Sequence, residues 1–235
     1  MDDFSPFEKK IGYSFRNIDL LKEAFTHRSF LNENPAWGVP HNERLEFLGD
    51  AVLELVITEY LYQKYPKDDE GKLTSIRAAL VNYVALSKVA RDIGMESYIR
   101  TSRGEARDQG KAREVILANA FEALLGALYL DGGYRAVADF IKAHTLASLD
   151  DVVSQGLYKD AKSSLQEYAQ ERFKFTPTYT VVKESGPDHK KIFTVAVIID
   201  GKEAACGEGS SKQEAEVEAA KNALYVFKTS GNKRL

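Results

Sequence analysis

A single cysteine, Cys206, occurs among the 235 residues. That excludes an intramolecular disulfide and a cysteine-based metal site. Low-complexity tracts are absent, and no apolar run reaches the roughly 18 residues that a membrane span needs. No membrane partner is therefore expected. The opening stretch, MDDFSPFEKKIGYSF, is charged and has no apolar core segment, unlike a secretory signal. A reducing, cytoplasmic setting is the expectation. Excess positive charge is also missing. Lys and Arg number 32 against 35 Asp and Glu, for a net charge of −3. Net charge thus makes no case for a nucleic-acid partner, although it says little about local patches.

What is present is a globular composition, 44% hydrophobic and 29% charged, in a length that suits one large domain or two ordinary ones. The first two-thirds reads as successive helices. NIDLLKEAFTH, ERLEFLGDAVLELVITEYLYQKY, LTSIRAALVNYVALSKVARDIG, REVILANAFEALLGALYLD and YRAVADFIKAHTLASL all carry apolar residues three and four apart. Breaks fall at NENPAWGVPHN, YPKDDEGK, SRGEARDQGK and DGG. The stretch from Asp150 to Asp160 loses helical periodicity and reads as a linker. Beyond it the pattern changes to helix (AKSSLQEYAQERF), three strands (TYTVVKE, KIFTVAVIID, KEAACGEG) and helix (SSKQEAEVEAAKNALYVF). Asp200-Gly201 is a two-residue hairpin signal. Ser211 and Glu214 have capping-box spacing, and Ala215, Ala219, Ala223 and Phe227 form an apolar seam. The expected class is α+β overall. Residues 1–150 form an all-helical domain, 151–159 a linker, 160–230 a small α-β-β-β-α domain and 231–235 a tail. Acid and base nearly balance from Asp160 on, so the acidic excess lies in the helical part.

Within the helix beginning HNERLEFLGD, the acids Glu43, Glu46 and Asp50 fall within about 60° of one face. Like charges so placed repel unless something offsets them. A second helix, ILANAFEALLGALYLD, places Asn119 and Glu122 three apart amid core residues. Packed side by side, the two helices would gather Glu46, Asp50, Glu122 and the Asn119 carbonyl. These are oxygen donors that suit Mg²⁺ or Mn²⁺ rather than zinc. Spacing alone equally allows capped or ion-paired surface acids.

HNERLEFLGDAVL closely resembles the signature of the ribonuclease III family, which cleaves double-stranded RNA. IGYSFRNIDLLKEAFTHRSF is similar to that family's opening helices. DEGKLTSIRAALVNYVALSKVARDIG and ILANAFEALLGALYLDGGY look like its later segments. LQEYAQERFKFTPTY, GPDH and GEGSSKQEAE resemble its carboxy-terminal double-stranded-RNA-binding domain.

The resemblance implies a homodimeric, all-helical nuclease domain in which Glu46, Asp50, Asn119 and Glu122 hold Mg²⁺, with Mn²⁺ as a substitute and Asp50 and Glu122 as catalytic acids. It implies that Glu43 and Glu70 are auxiliary acids lining a valley of the dimer. Phe47 would sit at the dimer interface; ordinary core packing is the competing reading. The products would carry 5′-phosphate and 3′-hydroxyl ends and short 3′ overhangs, and the role would lie in rRNA and mRNA processing. Asn119 departs from the pattern, where Asp is usual. A carboxamide still offers an oxygen but brings no charge. The alternative is therefore a non-catalytic RNA-binding protein or a cleavage-disabled variant. Hydrolysis with about two divalent ions needs no imidazole base, and His27 in THRS is read as structural.

Double-stranded RNA is recognised by shape, 2′-hydroxyls and phosphates. Gln166 and Glu167 on the first helix of the second domain are expected to meet one minor groove, and His189 in SGPDHK the next. Ser210, Ser211 and Lys212, at the amino end of the last helix, would offer N–H groups to phosphates. Gln213 and Glu214 stand where basic residues are common. In the helical domain, Arg103, Arg107, Lys111 and Arg113 could grip phosphates beside the cut; a solvated surface loop is the competing reading.

Overall fold

The structure is a computed structural model that describes residues 3–108, 110–187 and 191–229. It divides into two units, Met1–Tyr158 and Lys159–Leu235, each with its own core.

The first unit contains α1 (Ser5–Ile11), α2 (Ile18–Ala24), α3 (Arg28–Glu33), α4 (Glu43–Lys64), α5 (Glu70–Val81), α6 (Tyr83–Asp92), α7 (Lys111–His144) and α8 (Leu149–Ser154). Its centre is the α4–α7 pair. Leu45, Leu53, Val56, Ile57 and Leu61 of α4 and Leu117, Phe121, Leu124, Leu125 and Leu128 of α7 are all buried. The two backbones touch where each helix carries a glycine. A Cβ on Gly126 would lie 2.3 Å from the Leu45 carbonyl oxygen. By length and hydropathy Lys111–Ser154 could cross a membrane, yet 67% of its apolar window is buried inside this unit. It is a core segment. The DGG break appears as a kink at Gly133 (φ 77°), a left-handed conformation that suits glycine. Beside it, Asp131 accepts hydrogen bonds from the Tyr13 hydroxyl (2.8 Å) and the Arg16 and Asn17 N–H groups (3.0 and 2.9 Å).

Three boundaries differ from the sequence reading. The continuous helix expected over LTSIRAALVNYVALSKVARDIG is two helices. Asn82 turns to ψ 155° and its side chain accepts from the Ala85 N–H at 3.0 Å, so it caps α6 and stops α5. Asp69 likewise caps α5 through the Lys72 N–H, starting it at Glu70, inside the expected loop. The expected linker is helical as far as Ser154. Leu149 and Val152 are buried, and Val153 and Tyr158 pack on the first core. Two apolar positions three apart anchor this short helix, too few to display a period.

The second unit runs α9 (Ala161–Phe173), β1 (Thr178–Ser185), β2 (Ile192–Ile199), β3 (Lys202–Gly209) and α10 (Lys212–Thr229). The sheet is antiparallel in the order β1-β2-β3. Asp200 (φ 52°) and Gly201 (φ 71°) make the β2–β3 turn with both residues left-handed, as the short hairpin demands. Leu165 and Ala169 of α9, Val197 and Ile199 of β2, and Ala219, Ala220 and Ala223 of α10 form the core. Tyr168 stacks on Phe227 at 5.3 Å. At the start of α10 the Ser211 hydroxyl accepts from the Glu214 N–H at 3.1 Å.

Candidate functional site

The first turns of α4 carry Glu43, Glu46 and Asp50, and the α4–α7 contact sets Asn119 and Glu122 against them. The Asn119 carboxamide hydrogen-bonds the Glu46 carboxylate, which holds that acid's pKa down against larger opposing effects. Burial, Glu43 and Asp50 push it up, and the net direction is upward. Glu122 is pushed up to about 7, first by burial and then by the charges of Asp50, Glu46 and Glu54. Both sit half-buried, and Asp50 is exposed. None of Glu46, Asp50 and Glu122 forms an ion pair among the described residues, whereas their neighbour Glu54 is held by Arg77 at 2.7 Å. The result is a cluster of acids without a basic partner among the described residues, built only from oxygen donors.

That donor set fits a hard divalent cation. Among the described residues no three His, Cys, Asp or Glu side chains enclose a ready cage. Mg²⁺ does not require one, because it keeps several waters and commonly takes one or two carboxylates. Such an ion would displace the proton of Glu122 to solvent and favour its carboxylate.

The auxiliary acids lie differently. Glu43 is engaged by Arg28 at 3.2 Å and faces His41 at 3.8 Å, which fastens α3 to the start of α4. Glu70 opens α5 and lines a groove with Thr58, Tyr62, Tyr65 and Arg77. Phe47 is 81% exposed, which rules out core packing within this unit. Leu55 and Tyr62 continue its stripe along α4 at 58% and 74% exposure.

In the second unit, Gln166 shares a groove with Asp160, Lys162, Ser163, Tyr179 and Gln213. Gln213 is a contributor that the sequence reading treated only as a departure. Lys162 is drawn off by Glu216 at 2.6 Å. Glu167 faces Lys159 at 3.6 Å. At the α10 amino end, Ser210 does not offer a free N–H as expected. It donates to the Glu214 carboxylate at 3.0 Å, so the acid blocks its own helix end. Lys212 leans toward the strands, 3.7 Å from Glu184 and over the Phe193 ring. His189 lies outside the described residues.

The basic loop is also narrower than its sequence. Arg113 is held by Glu96 at 3.2 Å, and Lys111 sits over Tyr83. Arg103 and Arg107 are exposed and form no ion pair among the described residues.

Residues 17–149 match the family model described as Ribonuclease-III-like, and residues 161–226 match the double-stranded RNA binding motif. The chain is 44% identical over 228 residues to Ribonuclease 3 of a Nitratiruptor species, covering 97% of this chain and 98% of that one. It is 48% identical over 222 residues to Ribonuclease 3 of Desulforamulus reducens, covering 94% and 90%. The crystal structure of the nuclease domain of ribonuclease III from Campylobacter jejuni superposes with a TM-score of 0.56 at 38% identity, over 63% of this chain and 97% of that one. A second structure of that domain concerns flexibility in a region involved in dimer formation.

Proposed function

This chain belongs to the ribonuclease III family and is a double-stranded-RNA endoribonuclease, and we propose that its cleavage depends on Mg²⁺ held by Glu46, Asp50, Glu122 and the Asn119 oxygen. The observation that carries this reading is the unpaired acid cluster, in which Glu122 is driven to a pKa of about 7 by burial and by its acidic neighbours. A bound cation would supply Lewis-acid charge to activate water and to stabilise the leaving 3′ oxygen. The chain's own residues prepare the site. Asn119 orients Glu46, Arg77 removes Glu54 from competition, and the glycine contact between α4 and α7 fixes the two acidic faces against each other. Cleavage at this oxygen-donor site would leave 5′-phosphate and 3′-hydroxyl ends, as suits rRNA and mRNA processing.

The second unit binds double-stranded RNA. We assign Gln166, Glu167, Ser211 and Lys212 to that contact, with Gln213 added. Two strands need two cuts, and the exposed Phe47–Leu55–Tyr62 stripe offers apolar surface for a symmetric homodimer through the first unit. The Campylobacter jejuni domain, with its region involved in dimer formation, supports the same reading. A lone cysteine suits a reducing cytoplasmic setting. The test is labelled duplex RNA incubated with Mg²⁺, with Mn²⁺ and with chelator, followed by end analysis. Cutting in chelator, or products with 5′-hydroxyl ends, would refute the metal-dependent scheme.

A further inference from the structure

Away from the acid cluster, His27, Ser29 and Glu105 form a polar group that the cleavage chemistry does not use. The Ser29 hydroxyl donates to the Glu105 carboxylate and accepts from the Ser102 N–H at 2.9 Å. His27 Nδ1 lies 3.0 Å from Glu105 and 2.8 Å from the Ser29 hydroxyl. The group resembles a hydrolytic triad only in composition. A triad sets the serine and the acid on opposite ring nitrogens. Here both face the same nitrogen, and the serine hydroxyl is already committed to a carboxylate and an amide.

Its position suggests a different use. The turn at residues 25–29 is a hub. On one side, the Asn42 N–H donates to the Thr26 carbonyl (2.9 Å) and the Asn42 carboxamide to the Ala24 carbonyl (3.2 Å), while Arg28 pairs with Glu43. These contacts fix the first turn of α4, which carries Glu46. On the other side, the Arg100 N–H donates to the Phe25 carbonyl (2.8 Å) and the His27 N–H to the Arg100 carbonyl (3.0 Å). These bonds make an isolated parallel bridge between Thr26 and Arg100, after which the chain turns through Arg103 and Arg107. Past Arg100, Ser29 and Glu105 supply the side-chain ties, assisted by Glu33, whose carboxylate faces the Arg103 N–H at 3.4 Å. The two unpaired arginines are thus tethered to the same hub that positions the acid cluster.

We propose that Ser29 and Glu105, steadied by His27, are positioning residues that hold the Arg103–Arg107 loop beside the acid cluster, so that both guanidinium groups meet the phosphate backbone of the bound duplex. A loop fixed in advance loses less conformational freedom on binding, and arginines on a fixed loop address backbone oxygens bidentately. Glu105 acts through the loop and does not touch substrate. The loop's basic side chains and the clasp's acid therefore belong to one device, in which the acid sets the place and the arginines make the contact.

The proposal rests on the duplex lying along the acid cluster. Wild-type cleavage in the same assay tests that premise separately. Full-length wild type, Glu105→Ala, Glu105→Gln, Ser29→Ala, Arg103→Ala/Arg107→Ala and the combination of the last with Glu105→Ala are compared on one labelled duplex. Glu105→Ala and Ser29→Ala are expected to raise KM about tenfold with kcat changed less than about threefold, and to flatten the salt dependence of duplex binding by about as much as losing two phosphate contacts. Glu105→Gln, which still accepts from Ser29, is expected to recover most of the affinity. Adding Glu105→Ala to the double arginine variant is expected to change KM less than about twofold further, since there is then nothing left to position. Unchanged KM and salt slope in Glu105→Ala would overturn the proposal. Fully additive losses would do the same, because a general structural role weakens binding whether or not the arginines are present. Should Glu105→Ala fold poorly, Ser29→Ala, alone and added to the double arginine variant, carries the same comparison.

Discussion

A Cβ on Gly49 would fall 1.7 Å from the Glu122 carbonyl oxygen. No side chain fits there, so the α4 backbone lies directly on the α7 backbone one residue before Asp50 and at Glu122 itself. The glycine is what allows two acid-bearing faces on different helices to share one small volume. Gly49→Ala must push the helices apart, because the obstructing atoms are backbone and have no rotamer to adopt. It is expected to cost about 1–3 kcal/mol of stability and to reduce cleavage well beyond what the lost folded fraction explains. Thermal melting and single-turnover cleavage on the same preparation check this. A Gly49→Ala protein with wild-type melting and activity would show that the close crossing is not required.

The raised pKa of Glu122 fixes the sign of a stability effect. The folded carboxyl binds its proton more tightly than the unfolded one, from the ordinary 4.5 to about 7. Stability contributed by the protonated form is present below about 4.5 and is lost as pH rises toward 7. Without divalent cation, Glu122→Gln is therefore expected to melt higher than wild type at pH 8, with the difference shrinking as pH falls to 4. Saturating Mg²⁺ should raise the wild-type melting temperature at pH 8 and do less for the variant. Melting curves with and without chelator across this range are the check. A wild type more stable than Glu122→Gln at pH 8 in chelator would contradict the cluster's self-repulsion.

Asn119 carries no charge and holds Glu46 through a hydrogen bond. Asn119→Asp removes that bond and adds a like charge, so it should lower stability in chelator. The same charge should tighten cation binding. The Mg²⁺ concentration giving half-maximal cleavage is expected to fall, and Mn²⁺ should help wild type more than the variant. A metal titration of the cleavage rate that shows no leftward shift would remove this position from the cation site.

Phe47, Leu55 and Tyr62 are apolar and exposed on one stripe of α4. Phe47→Arg is expected to convert a dimer into a monomer in light scattering at micromolar concentration, with little loss of melting temperature once monomers are compared. A wild-type protein that is monomeric under those conditions would reject the dimer.

The elements of this fold were largely legible in the sequence because each has a strong local signal. β-branched and aromatic residues with Asp200-Gly201 mark the hairpin, and three- and four-residue spacing marks α4 and α7. The boundaries at Asn82 and Ser154 were hidden because a single side-chain cap and two buried apolar residues leave no periodic trace. Glu43, Glu46, Asp50, Asn119 and Glu122 could be paired by helix face. Their closeness could not, since Gly49 and Gly126 look like ordinary small residues until the helices cross. Phe47 illustrates the converse. Its apolar side chain suits a core or an interface equally, and only its exposure in the folded unit rules out the core. The tie between Ser29 and Glu105 joins the start of α3 to a segment far along the chain, and no local period records such a contact.

The most direct test of the account is single-turnover cleavage of a labelled RNA duplex by Glu122→Gln in Mg²⁺ at pH 8, with duplex binding measured on the same samples. Loss of this charge at the cation site is expected to slow cleavage roughly a thousandfold or more, while duplex binding, carried in part by the second unit, changes less than about threefold. Cleavage by Glu122→Gln at a rate close to wild type would contradict the assignment of the α4–α7 acid cluster as the site of the reaction.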